Sequence, residues 1–273
     1  AVLEARDRVG GRLWTNTIDG AMLEIGGQWV SPDQEGLLGM LEHLGLETYP
    51  RYRDGESLYI SRAGDLTRFT GEIFPVAPDT AAELERLITL LDEIVAEVGP
   101  HEPWAHPRAA ELDSISWQAW LEEQTQDVEA RDNIALFAAQ AMLTKPAHSI
   151  SALQAIFMAA SQGSFSNLVD ADFILDRRVV GGLQQVPLLL AERLGEDVHL
   201  AAPVRALEWS ADGVLARADG GISVRAKRAI VAVPPNLYSR ISFVPALPRR
   251  QHVMHQQLSL GLVIKVHAVY STP

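Results

Sequence analysis

Val2-Leu3-Glu4-Ala5-Arg6-Asp7-Arg8-Val9-Gly10-Gly11-Arg12 is the stretch on which the fold turns. A short apolar run ends in an acid, and a Gly-Gly turn flanked by arginines follows. An acid at the end of a parallel strand can accept both hydroxyls of a nucleotide ribose. Two glycines let backbone approach a pyrophosphate closely, and Arg12 can offer it a forked donor. The bland alternative is a turn with solvated arginines, since the glycine-rich loop that normally precedes such a strand is absent.

Working outward, Asp19-Gly20 marks a tight turn, with a short strand at 21–25 after it. A helix is expected over 33–43, and strands at 57–61 and 66–70 flank the Ala63-Gly64-Asp65 turn. From 79 to about 193 the pattern is mostly helical. Leu84, Leu87, Ile88, Leu91, Ile94, Val95 and Val98 make one stripe over 79–98, stopped by Gly99-Pro100. Further helices are expected at 116–124, 128–142, 149–162 and 183–194. The period then changes to two, with strands at 198–200, 204–209, 213–218 and 221–226 in a meander. Residues 229–233 form a continuous apolar run of the buried parallel-strand type, ended by Pro234-Pro235. A last strand is expected over 261–270. The economical fold is α/β with a helical insertion.

The 273 residues are 47% hydrophobic and 21% charged, ordinary for a globular protein with an ample core. No apolar run approaches the ~20 residues of a membrane helix, and no signal peptide is visible, so a cytoplasmic protein is expected. Cysteine is absent, which removes disulfides and thiolate chemistry. The formal charge of −12 argues against nucleic acid and suits a cationic small molecule. Only three of the 23 basic residues are lysines, and one of them, Lys265, sits between Ile264 and Val266. An unpaired ammonium in an apolar strand is costly; the alternative is a lysine snorkelling from a strand edge. The histidines show no metal-like clustering, so no metal and no Ser-His-Asp site is expected.

The 4–12 stretch, followed by Gly26-Gly27-Gln28-Trp29, closely resembles the FAD-binding segments of the flavin-containing amine oxidases. The resemblance continues through Arg178-Val179-Val180-Gly181-Gly182, Pro203-Val204, residues 229–235 and Gly261-Leu262-Val263-Ile264-Lys265, in family order along nearly the whole chain. Within that family, 25–34 and 165–185 are most similar to bacterial putrescine oxidases. The resemblance implies a Rossmann-like FAD-binding domain (1–75 and 181–235) interleaved with a substrate domain of helices and antiparallel sheet (76–180 and 236–273). It implies FAD as cofactor and oxidative deamination of a primary amine, putrescine first, with dioxygen as acceptor. An aromatic monoamine, an amino acid, or a catalytically silent flavoprotein piece are the rival readings.

The resemblance also assigns residues. Glu4 would hold the ribose, while Arg6, Gly10, Gly11 and Arg12 would line the phosphates. Gly26, Gly27, Gln28 and Trp29 would pass beside the flavin, where a side chain at Gly would obstruct the ring; an ordinary turn is the alternative. Val204 would meet the adenine, and Ala232 and Pro234 would border the cofactor. Lys265 would lie near flavin N5 as the catalytic lysine. Leu168 and Leu175 would face the substrate, and Asp170 and Asp172 either attract a distal ammonium or belong to a solvated loop. Relatives carry a glycine-rich loop before the position of Val2 and an aromatic cage beyond that of Pro273, so the chain reads as a fragment or one piece of an assembly. A homodimer, or association with the remaining segments, is expected.

Overall fold

The computed structural model describes residues 1–71, 74–170 and 173–270. The chain opens with β1 (Val2–Leu3), the hairpin β2 (Thr15–Ile18) and β3 (Ala21–Glu24), α1 (Glu35–Leu44), β4 (Thr48–Pro50) and the hairpin β5 (Ser57–Ile60) and β6 (Leu66–Phe69). The middle holds α2 (Pro78–Val98), α3 (Ala109–Ser114), α4 (Trp117–Gln124), α5 (Val128–Ala135), α6 (Ala152–Ala160) and α7 (Phe165–Val169). Then come β7 (Arg177–Val179), α8 (Gln185–Leu194), β8 (Val198–His199), β9 (Val204–Ser210), β10 (Gly213–Ala218), β11 (Ser223–Ala226), β12 (Ser242–Val244) and α9 (Arg249–Gln257).

The helical insertion is one packed body. The stripe read on α2 faces inward: Leu87, Leu91, Ile94, Val95 and Val98 are buried, with Leu84 and Ile88 packed beside them. They meet Leu112, Trp117, Leu121, Ile134, Ile156 and Phe165 from the neighbouring helices. Trp117 and Trp120 stack with ring centroids 5.2 Å apart. Side-chain caps set the helix starts. Ser116, Asp127, Ser151 and Ser164 each accept an amide from the first turn of α4, α5, α6 and α7 respectively. Asp127 also accepts the hydroxyl of buried Thr80 at 2.8 Å, tying α5 to α2. Asp127→Ala is therefore expected to cost about 2 kcal/mol, a lost cap plus an unpaired buried hydroxyl. Urea unfolding checks this as a lower midpoint at unchanged slope; an unmoved midpoint would show that solvent replaces both bonds.

The expected 128–142 helix changes character midway. After Ala135 it runs on as a π-helix, Leu136–Leu143, and ends at Thr144 in the left-handed region. Phe137 of that stretch stacks on Phe74 at 6.0 Å, and Phe74 on Tyr59 of β5 at 5.4 Å. The expected 149–162 helix is shorter: α6 spans Ala152–Ala160, and a 3₁₀ turn at Ala147–Ser149 precedes it.

A second, smaller core of Val30, Leu41, Val179 and Leu183 joins α1 to the β7–α8 connection. Around it the chain's distant parts pair. β1 lies parallel to β8, with Val2 opposite Val198 and Leu3 opposite His199. β4 pairs antiparallel with β7, joining Thr48 to Val179. Of the four strands read as a meander, β9, β10 and β11 form it, β12 adds parallel to β9 in the order β11-β10-β9-β12, and β8 leaves it to pair with β1. Two ladders thus cross the boundaries drawn at 75–76 and 235–236.

Two expected strands are absent. Residues 229–233 join no ladder, and Ile230 is 94% exposed. Residues 261–270 are also without regular structure, with Leu262 95% and Ile264 89% exposed. A strand needs a neighbour whose backbone completes its ladder, and no described strand pairs with either run.

Candidate active site

The site is built where four segments meet: the 8–14 turn, the end of β3 with the 25–29 turn, the β7–α8 connection, and Lys265. The Gly-Gly turn has the left-handed geometry its sequence invites, with φ +108° at Gly10 and +54° at Gly11. Gly10 is required on two grounds, since an added Cβ would also lie 2.6 Å from Leu13 O. Arg8 braces the turn from inside, donating to Leu13 O at 3.1 Å and Gly11 O at 3.0 Å. Gln184 staples its base: Nε2 donates to Val9 O at 2.8 Å and Oε1 accepts Thr15 N at 2.7 Å.

Glu4 follows β1 directly, and its Oε1 accepts the Arg6 amide at 2.8 Å. Among the described residues no hydrogen bond engages the Gly11 or Arg12 amide, and the exposed Arg6 and Arg12 guanidinium groups have no ion pair. Residues 4–12 are thus one stretch that carries a carboxylate at a parallel strand end, a turn with unused amides and two unpaired guanidinium groups. It is chemically suited to vicinal hydroxyls and an anion.

The 25–29 turn packs against the 12–14 backbone. Ile25 N and Gly26 N both donate to Trp14 O, at 2.7 and 3.1 Å, and Gly27 N donates to Arg12 O at 3.1 Å. A Cβ on Gly26 would overlap the Arg12 carbonyl oxygen and lie 2.8 Å from Trp14 N. The chain's own backbone therefore demands glycine at 26, before any bound ring is considered. Gly27 is less constrained, since a Cβ there would meet only the tip of Leu13 at 3.2 Å. Gln28 and Trp29 are half-buried, and the Trp29 ring faces the Arg178 guanidinium at 5.7 Å and that of Arg51 at 5.9 Å.

Glu24, at the end of β3, is 1% exposed. Its Oε2 accepts both Nε and Nη2 of Arg178, at 3.1 and 2.8 Å, and its Oε1 accepts Leu183 N at 2.6 Å. The backbone oxygen of the same residue accepts Lys265 Nζ at 2.9 Å, and Gly26 O accepts a second bond from that amine. The 258–262 segment that leads to Lys265 is moored on the end of the π-helix: Leu262 N donates to Thr144 O at 3.3 Å, and Lys145 bonds Ser259 Oγ. Desolvation beside the 24–26 turn lowers the Lys265 pKa; the Glu24 charge opposes that shift and the Arg178 charge adds to it.

The other residues singled out in the sequence lie elsewhere. Val204 begins β9, half-buried opposite Ala218. Ala232 is exposed and Pro234 half-buried, on the run that forms no strand. Leu168 has no exposed surface and belongs to the helical core, whereas Leu175 is half-buried with φ +54°. Asp170 Oδ1 accepts Phe173 N at 3.2 Å within its own turn. Asp172 lies outside the described residues. Sequence reasoning missed Glu24 and Gln184, and took Arg178 only as part of a block. The available signal was an acid directly before Ile25-Gly26-Gly27 at the end of a strand.

Comparison with known proteins identifies the family. Residues 1–273 match the family described as flavin containing amine oxidoreductase. The chain is 60% identical to putrescine oxidase of Kocuria rosea over its whole length, which is 59% of that protein. It is 31% identical to human amine oxidase [flavin-containing] B, again over the whole chain and 52% of the relative. A solved structure of putrescine oxidase bound to putrescine superposes with TM-score 0.93 at 63% identity, covering 96% of this chain and 58% of that one. Cyclohexylamine oxidase from Brevibacterium oxydans superposes with TM-score 0.84 at 29% identity. The chain thus spans about three fifths of the length of the putrescine oxidases it matches. The fold is that of the flavin amine oxidases, and the chain belongs to the flavin-containing amine oxidoreductase family.

Proposed function

We propose that this chain carries the flavin-holding and lysine-bearing part of an FAD-dependent oxidase that converts a primary amine, putrescine first, to aldehyde, ammonia and peroxide. One observation carries the reading. Lys265 reaches back 239 and 241 residues to the carbonyls of the Gly26 turn and Glu24, joining two blocks that the sequence marks independently. The identity to the Kocuria putrescine oxidase supports the substrate, and the acidic balance suits a diamine.

The donor and acceptor set of residues 4–12 fits FAD. Glu4 would take the ribose, and Arg6, Gly10, Gly11 and Arg12 the diphosphate. Gly26, Gly27, Gln28 and Trp29 would border the ring, Val204 the adenine, and Ala232 and Pro234 the far edge. The flavin, when bound, supplies the oxidising equivalent that takes hydride from the amine carbon and passes its electrons to dioxygen. What the chain's own residues supply is orientation and proton handling. As a neutral amine, Lys265 would satisfy the two carbonyls with its two N–H groups and turn its lone pair outward to accept a proton. The depressed pKa brings that form closer to working pH. Leu175 would line the substrate side, with fully enclosed Leu168 backing it from the core. Among the described residues no helix is long and apolar enough to cross a membrane. The proposal extends to a cytoplasmic enzyme working as a homodimer.

Lys265→Met is expected to keep FAD bound, by its absorbance, while slowing flavin reoxidation or turnover about a hundredfold, as lost proton handling does. Unchanged kinetics would remove the lysine from the mechanism. Peroxide release on a panel of amines checks the substrate: release with tyramine but not putrescine keeps the oxidase and discards the diamine.

A further inference from the structure

The Glu24–Arg178 pair has no part in the reading above. It is a buried carboxylate with three donors, two from one guanidinium and one from the Leu183 amide, all contributed by residues 178–183. A pair of this kind is a weak source of stability, because desolvation offsets most of its attraction and apolar residues of equal volume often do as well. Its geometry points to another use. Glu24 faces two ways: its side chain is gripped by Arg178 and Leu183, and its carbonyl grips Lys265 at 2.9 Å. The second acceptor of the lysine, Gly26 O, is two residues on, in a turn pinned to Trp14 O and Arg12 O. The carbonyl that holds Lys265 thus belongs to the same residue as the carboxylate that Arg178 grips, and the second acceptor follows it by two residues.

We propose that the Glu24–Arg178 ion pair is a positioning device for Lys265, fixing the two carbonyls that hold its amine. Its relevance to catalysis rests on the reading of Lys265 given above; the hold on the amine does not. Arginine is suited to the task because a planar guanidinium sets two donors on one carboxylate oxygen in a fixed relation, which a single ammonium cannot do.

The test separates charge from geometry. Arg178→Lys keeps the charge but loses the fork, and Glu24→Gln keeps an acceptor oxygen but loses the charge. In the intact protein, each lysine is labelled with a limiting N-hydroxysuccinimide ester at one pH and read by peptide mass. Lys227, exposed in the 221–230 segment, is the internal control. Labelling of Lys265 is expected to rise about tenfold in Arg178→Lys, the scale of a misplaced group, with Lys227 unchanged. Equal labelling of Lys265 in wild type and Arg178→Lys overturns the proposal, as does a rise shared by Lys227, which would mark general loosening. Should Glu24→Gln fail to fold, Arg178→Lys decides alone. Flavin reoxidation in Lys265→Met judges the catalytic reading separately, so the two fail independently.

Discussion

Gly26→Ala is expected to lower stability by about 4 kcal/mol and to abolish flavin absorbance. The atoms a methyl group would strike are all backbone: the Arg12 carbonyl oxygen, Arg12 C at 3.0 Å and Trp14 N at 2.8 Å. Those peptides cannot step aside without breaking the bonds from Ile25, Gly26 and Gly27 to Trp14 O and Arg12 O. Three lost hydrogen bonds at roughly 1 kcal/mol each, together with overpacking strain of similar size, sum to about 4 kcal/mol. That is a large share of the ~5–15 kcal/mol by which a domain is stable. Gly27→Ala is the control, because only the flexible tip of Leu13 is in the way at 3.2 Å, and its cost should stay under about 1 kcal/mol. Thermal unfolding and the visible spectrum of both variants check the pair. A Gly26→Ala protein with the wild-type Tm would mean that the 12–14 backbone yields far more easily than its bonding implies.

Arg178→Ala is expected to cost 3–5 kcal/mol, because it strands a carboxylate that is 1% exposed with the Leu183 amide as its remaining partner. The guanidinium also faces the rings of Trp29 at 5.7 Å and Tyr49 at 6.0 Å, contacts worth about 0.5–1 kcal/mol each. The cost should not be additive with that of removing the acid. In the double variant Glu24→Met with Arg178→Met no charge is left buried, and at least half of the lost stability should return. Urea unfolding of the single and double variants closes the cycle. Additive losses would show that water reaches Glu24 once the arginine is gone.

Much of the architecture was legible because its causes are local. The stripe on α2 is a matter of 3.6-residue spacing, and Leu87, Leu91, Ile94, Val95 and Val98 turn inward as that spacing requires. The hairpin at Asp19-Gly20 and the β9–β10 hairpin, closed by Ala211-Asp212 just before Gly213, follow from turn chemistry that any chain would obey. The 229–233 and 261–270 runs failed as strands for the opposite reason. Apolar, β-branched sequence is only half of a strand, the other half being a neighbouring backbone that no local reading can supply.

The site divides in the same way. Sequence alone marked Lys265 as a lysine set among apolar residues and Gly10 as a position of close approach, while family resemblance added Gly26 and tied all three to a flavin cofactor. At Gly26 the Arg12 backbone by itself already excludes a side chain. Glu24 stayed invisible, as an acid in an alternating strand reads the same whether it faces solvent or a half-buried arginine. Which carbonyls hold the lysine amine, and which ion pair holds those carbonyls, join residues 154 to 241 positions apart. Hydrogen bonds act over about 3 Å, so only the folded chain, by bringing those residues within reach, decides them.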